Sequence, residues 1–440
     1  MIKTHKILIS FVMVAFSIVM FSIVAPDSVA ESVSDVVESD SSDNVSWILI
    51  CSALVFIMVP GIALFYGGML RKQSMSSIIT QTLIAIGVMT LTWTAVGYTL
   101  AFGGDGTIVG GLSHLFMENV SWESSGGTIS DLEFGLYQMM FAIVAAAIVL
   151  GACAERIRYT AIVWFLAVWS VFVYAPMAHW VWGGGLFDQY LTVLDFAGGT
   201  VVHICAGVTG LALVAFTGRR SDRTRKARAH SIPFAFLGCM FLWFGWFGFN
   251  GGSGLAADGV AVHAIFVSQL SAACAMMSWA AVQYLVVGRV GVLGMIAGGI
   301  AGLVAITPAA GYVGIWESML MGAVGGVLCF YSVRFFRNKT QIDDALDVFA
   351  VHGVGGIWGA IATGIFARTE LADGVSGLIY GGTDLFIGQI AVVAITVVFC
   401  FSVSYAIIWL ISKFIRVRVT EEEEMIGQDL VEHGEPAYQM

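Results

Sequence analysis

Eleven apolar stretches, each long enough to cross a membrane, succeed one another along the chain, near residues 46–70, 76–102, 134–155, 159–182, 196–217, 232–252, 260–287, 290–307, 315–333, 347–367 and 384–414. A helix rises 1.5 Å per residue, so about 20 apolar residues span a hydrocarbon layer roughly 30 Å thick. The chain is therefore expected to be an all-α polytopic membrane protein with eleven transmembrane helices. Its 58% hydrophobic and 11% charged residues lie far from the roughly 45–50% and 25% of a soluble domain.

The basic residues give an independent check on that count. Beyond Lys3 and Lys6 the chain has eighteen Lys and Arg, and seventeen fall in the segments that an outside start and eleven spans assign to the cytoplasm. They are Arg71 and Lys72, Arg156 and Arg158, the six of "RRSDRTRKAR", Arg289, then Arg334, Arg337 and Lys339, and finally Lys413, Arg416 and Arg418. Arg368 alone falls outside. One helix more or fewer would scramble the alternation, because cytoplasmic loops carry the Lys and Arg excess. An odd number of spans places the N-terminus outside and the C-terminus in the cytoplasm. The long basic loop 217–231 then divides the spans into two five-helix units, necessarily inverted, followed by an eleventh helix. Many transporters share this arrangement, with the site at the repeat interface near mid-membrane.

Composition narrows the chemistry. The 52 glycines suit helices whose backbones approach closely in lipid. Seven cysteines lie singly in apolar stretches with no CxxC pair, so no metal cluster or disulfide framework is indicated. No phosphate-binding glycine loop appears, which argues against ATP-driven transport. Neither a cofactor nor a metal is expected, and no enzymatic activity.

Residues 1–30 read as a signal peptide, with Lys3 and Lys6, an apolar run from Ile7 to Val24, Pro26 and a small-residue cleavage site at 28–30. An uncleaved anchor helix is the alternative. Residues 31–45, rich in Ser, Asp and Glu, read as an acidic extracytoplasmic linker. The transport unit is expected over 46–416, and a cytoplasmic tail over 417–440.

Two histidines stand out. In "DFAGGTVVHICAGVTG" Asp195 precedes His203 by eight residues, about 12 Å along a helix, which puts His203 near mid-membrane in the fifth span. The tenth span runs the other way, and "DDALDVFAVHGVGGIWGA" carries His352 after Asp343, Asp344 and Asp347. A single such histidine could be a buried packing residue. Two at corresponding places of inverted halves point to a pore, since ionisable groups within membranes are costly and usually functional. Facing imidazoles can share one hydrogen bond and keep a nitrogen for a guest, or pass a proton. An unneutralised ion would be costly there, so the guest is expected to be a small polar molecule able to be neutral. Asp195 reads either as a helix N-cap or as a direct substrate contact, and the two are compatible.

Aromatic residues gather where these helices meet the outside: Trp182 in "HWVWGGGL", Trp246, Phe249 and Ser253 in "WFGWFGFNGGSG", and Tyr137 and Phe141 in "LYQMMFAIVAAA". They suit either an interfacial aromatic belt or a vestibule for a cation.

With these motifs, and with "FYGGMLRK", "GACAERIRY" and the tail "EEEEMIGQDLVEHGEPAYQ", the chain resembles ammonium transporters of the Amt/Mep/Rh superfamily, in particular the Amt branch, over nearly all of its length after the signal. The resemblance implies a homotrimer in the cell membrane with one pore per subunit. It assigns Trp182, Ser253 and Tyr137 to an outer ammonium site with Trp246 beside them, and Asp195 to supporting that site and ammonium binding or deprotonation. Phe141 and Phe249 become the gate, and His203 and His352 the twin histidines of the pore. Two positions depart from it: Cys205, where many relatives carry Asn, and Tyr137, where Phe is also common. Electrogenic net uptake of ammonium is implied, together with a tail that couples subunits and a cytoplasmic face for PII signal proteins of the GlnK type. By composition alone the tail could instead be a disordered acidic end. Two other classes compete: an ammonium sensor with little flux, and a haem protein ligated by His203 and His352. A flux assay and a visible spectrum separate them.

Overall fold

The computed structural model describes residues 41–123, 129–225 and 228–438. The expected signal over 1–30, and all but the last residues of the linker, lie outside the described residues. Among the described residues the only regular structure is helical, apart from one isolated antiparallel bridge between Ile157 and Arg418.

The apolar helices are α1 (Ser42–Met69), α2 (Lys72–Phe102), α3 (Asp131–Leu150), α4 (Tyr159–Tyr190), α5 (Gly199–Thr217), α6 (Ile232–Gly251), α7 (Gly259–Val287), α8 (Val292–Ile306), α9 (Ile315–Lys339), α10 (Phe349–Phe366) and α11 (Asp384–Ile411). Ten are long and apolar enough to cross a membrane. The eighth has only 15 residues, about 22 Å of helix, against the 290–307 expected. It stops at Thr307 because Pro308 cannot continue it. The freed carbonyls of Thr307 and Pro308 accept from the Ala197 and Phe196 amides at 3.2 and 3.1 Å. Irregular backbone at membrane depth is thereby satisfied inside the protein.

Capping sets several starts. Ser130 accepts from the Glu133 amide at 3.2 Å ahead of α3, and Asp258 accepts from Val260 and Ala261 at 2.9 and 3.1 Å ahead of α7. Small residues set the packing. Helix α1 lies along α6, and a Cβ at Gly238 would stand 2.2 Å from the Phe65 amide nitrogen, so only glycine permits that approach.

One face of the bundle holds a buried ion-pair network. Glu155 accepts from Arg71 at 2.9 Å and Arg220 at 2.7 Å. Arg220 also reaches Asp343 at 2.9 Å, and the fully buried Arg156 lies 3.6 Å from it. Burial pushes the Asp343 carboxyl up, but the Arg220 guanidinium bonded to it wins and holds it at about 2. Each buried charge has an opposite neighbour, as a low dielectric demands.

The tail closes over this basic face. Thr420 and Glu423 form a capping box that starts α12 (Glu421–Ile426), followed by α13 (Gln428–His433). The fully buried Glu424 carboxylate accepts from the Ser221 amide at 2.7 Å and pairs with Arg418 at 3.2 Å. Arg158 bridges Glu423 and Glu432 at 2.6 and 2.5 Å. On the opposite face Arg368, the one exception to the charge alternation, serves a local need: its Nε donates at 2.6 Å to the fully buried Glu317.

Candidate functional site

Helices α5 and α10 run in opposite directions and begin with the same spacing of acid to histidine. Asp195 stands eight residues before His203, and Asp344 eight before His352. Sequence reading grouped Asp344 with Asp343 and Asp347; the structure singles it out as the counterpart of Asp195. Asp195 Oδ1 accepts from Gly198 and Gly199 at 2.9 and 2.7 Å, and Oδ2 from Thr200 and Val201 at 2.7 and 3.4 Å. Its carboxylate is thus a helix cap with both oxygens engaged by backbone amides at the positive end of α5. Asp344 Oδ2 accepts from the Phe349 amide at 2.7 Å at the head of α10.

Both histidines sit on π-turns, Gly199–Ile204 and Phe349–Gly353, which re-aim a side chain relative to an unbroken helix and recur at functional sites. A close crossing brings the rings together. A Cβ at Gly207 would lie 2.4 Å from the Gly353 nitrogen and 2.6 Å from its Cα, so α5 meets α10 backbone to backbone one residue beyond His352. The two Nδ1 atoms stand 3.3 Å apart. One imidazole must carry hydrogen on Nδ1 and donate while the other accepts. His203 Nε2 is buried with no hydrogen-bond partner.

An aromatic column continues from the pair. The His203 ring stacks on Trp246 at 5.3 Å and on Phe249 at 5.9 Å between centroids. Phe249 stacks on Phe141 at 4.1 Å and 24°, and both phenylalanines are buried. Trp246 is fixed by its Nε1–H, which donates to Thr307 Oγ1 at 3.0 Å. Beyond the phenylalanines lie the half-buried Trp182 and Ser253. Trp182 meets Phe141 edge-on at 6.2 Å and donates from Nε1 to the Asp195 carbonyl at 2.8 Å. Asp195 therefore holds the head of α5 by its carboxylate and the Trp182 indole by its backbone. Tyr137 donates to the Gly248 and Phe249 carbonyls at 2.8 and 3.0 Å, and Ser253 to the Phe249 carbonyl at 2.8 Å. Each hydroxyl oxygen keeps lone pairs for a donor.

On the far side of the pair, His352 borders a small cavity whose other walls include Ile62, Phe65, Tyr66, Val144, Ile148 and Ile300. The structure thus brings Tyr137, Phe141, Trp182, Trp246, Phe249, Ser253, His203 and His352 into one line, with Asp195 bracing it. Thr307, Gly207 and Asp344 support that line, through Trp246, the α5–α10 crossing and the head of α10, and were not singled out in the sequence. A repeated Asp-x7-His spacing was the available signal for Asp344. Cys205 is fully buried on α5. No group of three metal-ligating side chains occurs among the described residues.

The bracing role has a measurable consequence. Asp195→Ala leaves four amides at the head of α5 without their acceptor and is expected to cost on the order of 2 kcal/mol, read as a lower unfolding midpoint of the detergent-solubilised protein. Unchanged stability would mean that the carboxylate acts on a substrate and not on the fold.

The chain matches the Ammonium Transporter Family over residues 46–438. It is 45% identical to an ammonium transporter of Bacillus subtilis, covering 88% of this chain and 96% of that one. Its fold superposes on the crystal structure of Candida albicans Mep2 with a TM-score of 0.81 at 35% identity, covering 90% of each chain. It also superposes on a Sensor Amt Protein with a TM-score of 0.82 at 29% identity, covering 90% of this chain and 99% of that one. Helices fit to cross a membrane, a family match over most of the chain, and a 45% identical relative named as an ammonium transporter lead to one conclusion: this chain belongs to the Ammonium Transporter Family and is a multi-pass membrane protein.

Proposed function

We propose that the chain takes up ammonium electrogenically through one pore per subunit, recruiting the cation at Trp182, Tyr137 and Ser253 with Trp246 buried behind them against His203, removing its proton at the Phe141–Phe249 gate, conducting ammonia past His203 and His352 and passing the proton inward by way of the same imidazoles. The observation that carries this reading is the buried phenylalanine pair, stacked at 4.1 Å, between the half-buried Trp182 and Ser253 and a buried imidazole pair. Indole and phenyl faces attract a cation by about 0.5–2 kcal/mol, and the Tyr137 and Ser253 hydroxyl oxygens can accept from it. Past the gate an ammonium ion would lose its solvation in an apolar passage, a cost far larger than that attraction. Parting from the proton lowers the cost.

The orientation follows from the basic residues: the Trp182 mouth faces outside and the Arg156–Arg220 network faces the cytoplasm. The matched Asp-x7-His heads of α5 and α10, running in opposite directions, support two inverted five-helix repeats plus α11. Residues 46–416 make up the transport unit, with 1–30 as signal, 31–45 as an extracytoplasmic linker and 417–440 as the cytoplasmic tail. The subunits assemble as a homotrimer in the cell membrane, and a PII protein of the GlnK type docks on the cytoplasmic face. Because Glu424 ties the tail to Arg418 and to the Ser221 amide, truncation after Arg418 is expected to lower transport. Wild-type flux in the shortened protein would remove the tail from the account.

A sensor with little flux is the second reading, favoured by the likeness to a Sensor Amt Protein. Accumulation of isotope-labelled ammonium in proteoliposomes separates the two. Uptake above that of protein-free vesicles is expected, and its absence in folded, reconstituted protein would favour sensing.

A further inference from the structure

The two caps at the heads of α5 and α10 are not equivalent. Asp195 has both oxygens filled by amides. Asp344 uses Oδ2 on Phe349 at 2.7 Å, while its Oδ1 is buried with no hydrogen-bond partner, in a residue only 8% exposed. That carboxyl also borders a wide polar pocket on the basic face, whose walls include Glu155, Arg220 and Asp343. In the other direction lies the histidine pair. His352 stands on the turn that Asp344 caps, three residues beyond Phe349, and shares its small cavity with Tyr66, which is within electrostatic reach of Asp344. A carboxyl with a spare oxygen therefore sits between the imidazoles and a polar opening.

We propose that Asp344 is the proton acceptor at the cytoplasmic end of the histidine path, passing to the polar pocket the proton that ammonium gives up. The inference rests on the proposed reading that this proton crosses by way of His203 and His352. In the step, an N–H bond of the His352 imidazolium breaks and an O–H bond forms at Asp344 Oδ1, relayed by water. The O–H bond then breaks to water in the pocket, restoring the carboxylate. One proton moves and no electrons are exchanged.

The surroundings suit the task. Tyr66 of α1, Cys153 and Arg156 of the α3–α4 connection, Arg337 at the end of α9 and Asp347 of its own loop lie within electrostatic reach of Asp344, and Asp343 precedes it in sequence. Burial and then the Asp347 charge push its carboxyl up to about 7, against the Phe349 and Val348 amides and Arg156, which pull it down. Such a group is protonated below that pH and cannot accept; above it, the group is ionised and can.

The test is the transient current on an ammonium jump, recorded with full-length protein in proteoliposomes on a solid-supported membrane from about pH 6 to about pH 8. Wild-type current is expected to rise through pH 7. Asp344→Asn, which keeps an acceptor for the Phe349 amide, is expected to lose that rise and at least about tenfold of the current at the alkaline end. Asp344→Glu, which keeps a carboxyl, should retain a rise with a shifted midpoint. An Asn variant with the wild-type profile, or Asn and Glu variants that behave alike, would overturn the proposal. Absence of current in wild type would instead defeat the underlying reading of electrogenic transport.

Discussion

Gly207→Val is expected to cut ammonium transport by at least about tenfold and to cost on the order of 3 kcal/mol of stability. Gly207 has no room for any side chain, since a Cβ there would lie 2.4 Å from the Gly353 nitrogen and 2.6 Å from its Cα. Both atoms are backbone and cannot turn aside like a flexible side chain. The only relief is to spread α5 from α10, and that crossing is what holds the two Nδ1 atoms at 3.3 Å. A displacement near 1 Å at a distance from the chemistry can cost about a hundredfold. Flux and unfolding midpoints of the purified variant, measured together, check the expectation. A variant that transports normally would show that the crossing does not position the histidines.

His203→Leu and His352→Leu carry the second large effect. Leucine fills a similar volume, and either change abolishes the shared hydrogen bond; at His203 it keeps most of the packing against Trp246 and Phe249 but also removes the unpaired Nε2. If the pair carries the proton, either change should lower the ammonium-driven current on the order of a hundredfold, because the remaining imidazole has no partner at that depth to take the proton from or hand it to. If the rings serve only as packing, leucine should leave the current near wild type. Comparing each current with the unfolding midpoint separates a lost path from a lost fold.

Much of this architecture is legible in the sequence because membranes impose few, strong rules. Eleven apolar runs, punctuated by basic residues in alternate connections, mark the helices, since length and charge respond directly to the bilayer, although α4 and α9 continue past their expected ends, to Tyr190 and Lys339. The exceptions have local causes. Helix α8 is short because Pro308 ends it and its freed carbonyls are taken up by Phe196 and Ala197, a long-range pairing that no local pattern announces. Arg368 breaks the charge alternation because Glu317, which it neutralises, is fully buried on the opposite face.

The site was legible where chemistry is rare and illegible where it is common. Two histidines in apolar helices stand out because they are costly there. Gly207 does not, being one of 52 glycines, and only the approach of Gly353 distinguishes it. Asp344 lay within an acidic run, and its likeness to Asp195 appears only when the spacing to each histidine is counted. Asp195 read equally as a cap or as a substrate contact. The four amides on its carboxylate and the Trp182 indole on its carbonyl place it as a cap that also holds the Trp182 side chain.

The central claim is that ammonium crosses with net charge, its proton parting at the gate and following the histidines. Current across a solid-supported membrane carrying the reconstituted protein tests it most directly. An ammonium jump at constant pH is expected to give a transient inward current that decays faster as more protein is incorporated and that is absent from protein-free vesicles. Vesicles that accumulate ammonium at the same rate yet give no current would contradict the claim and leave a passive path for ammonia.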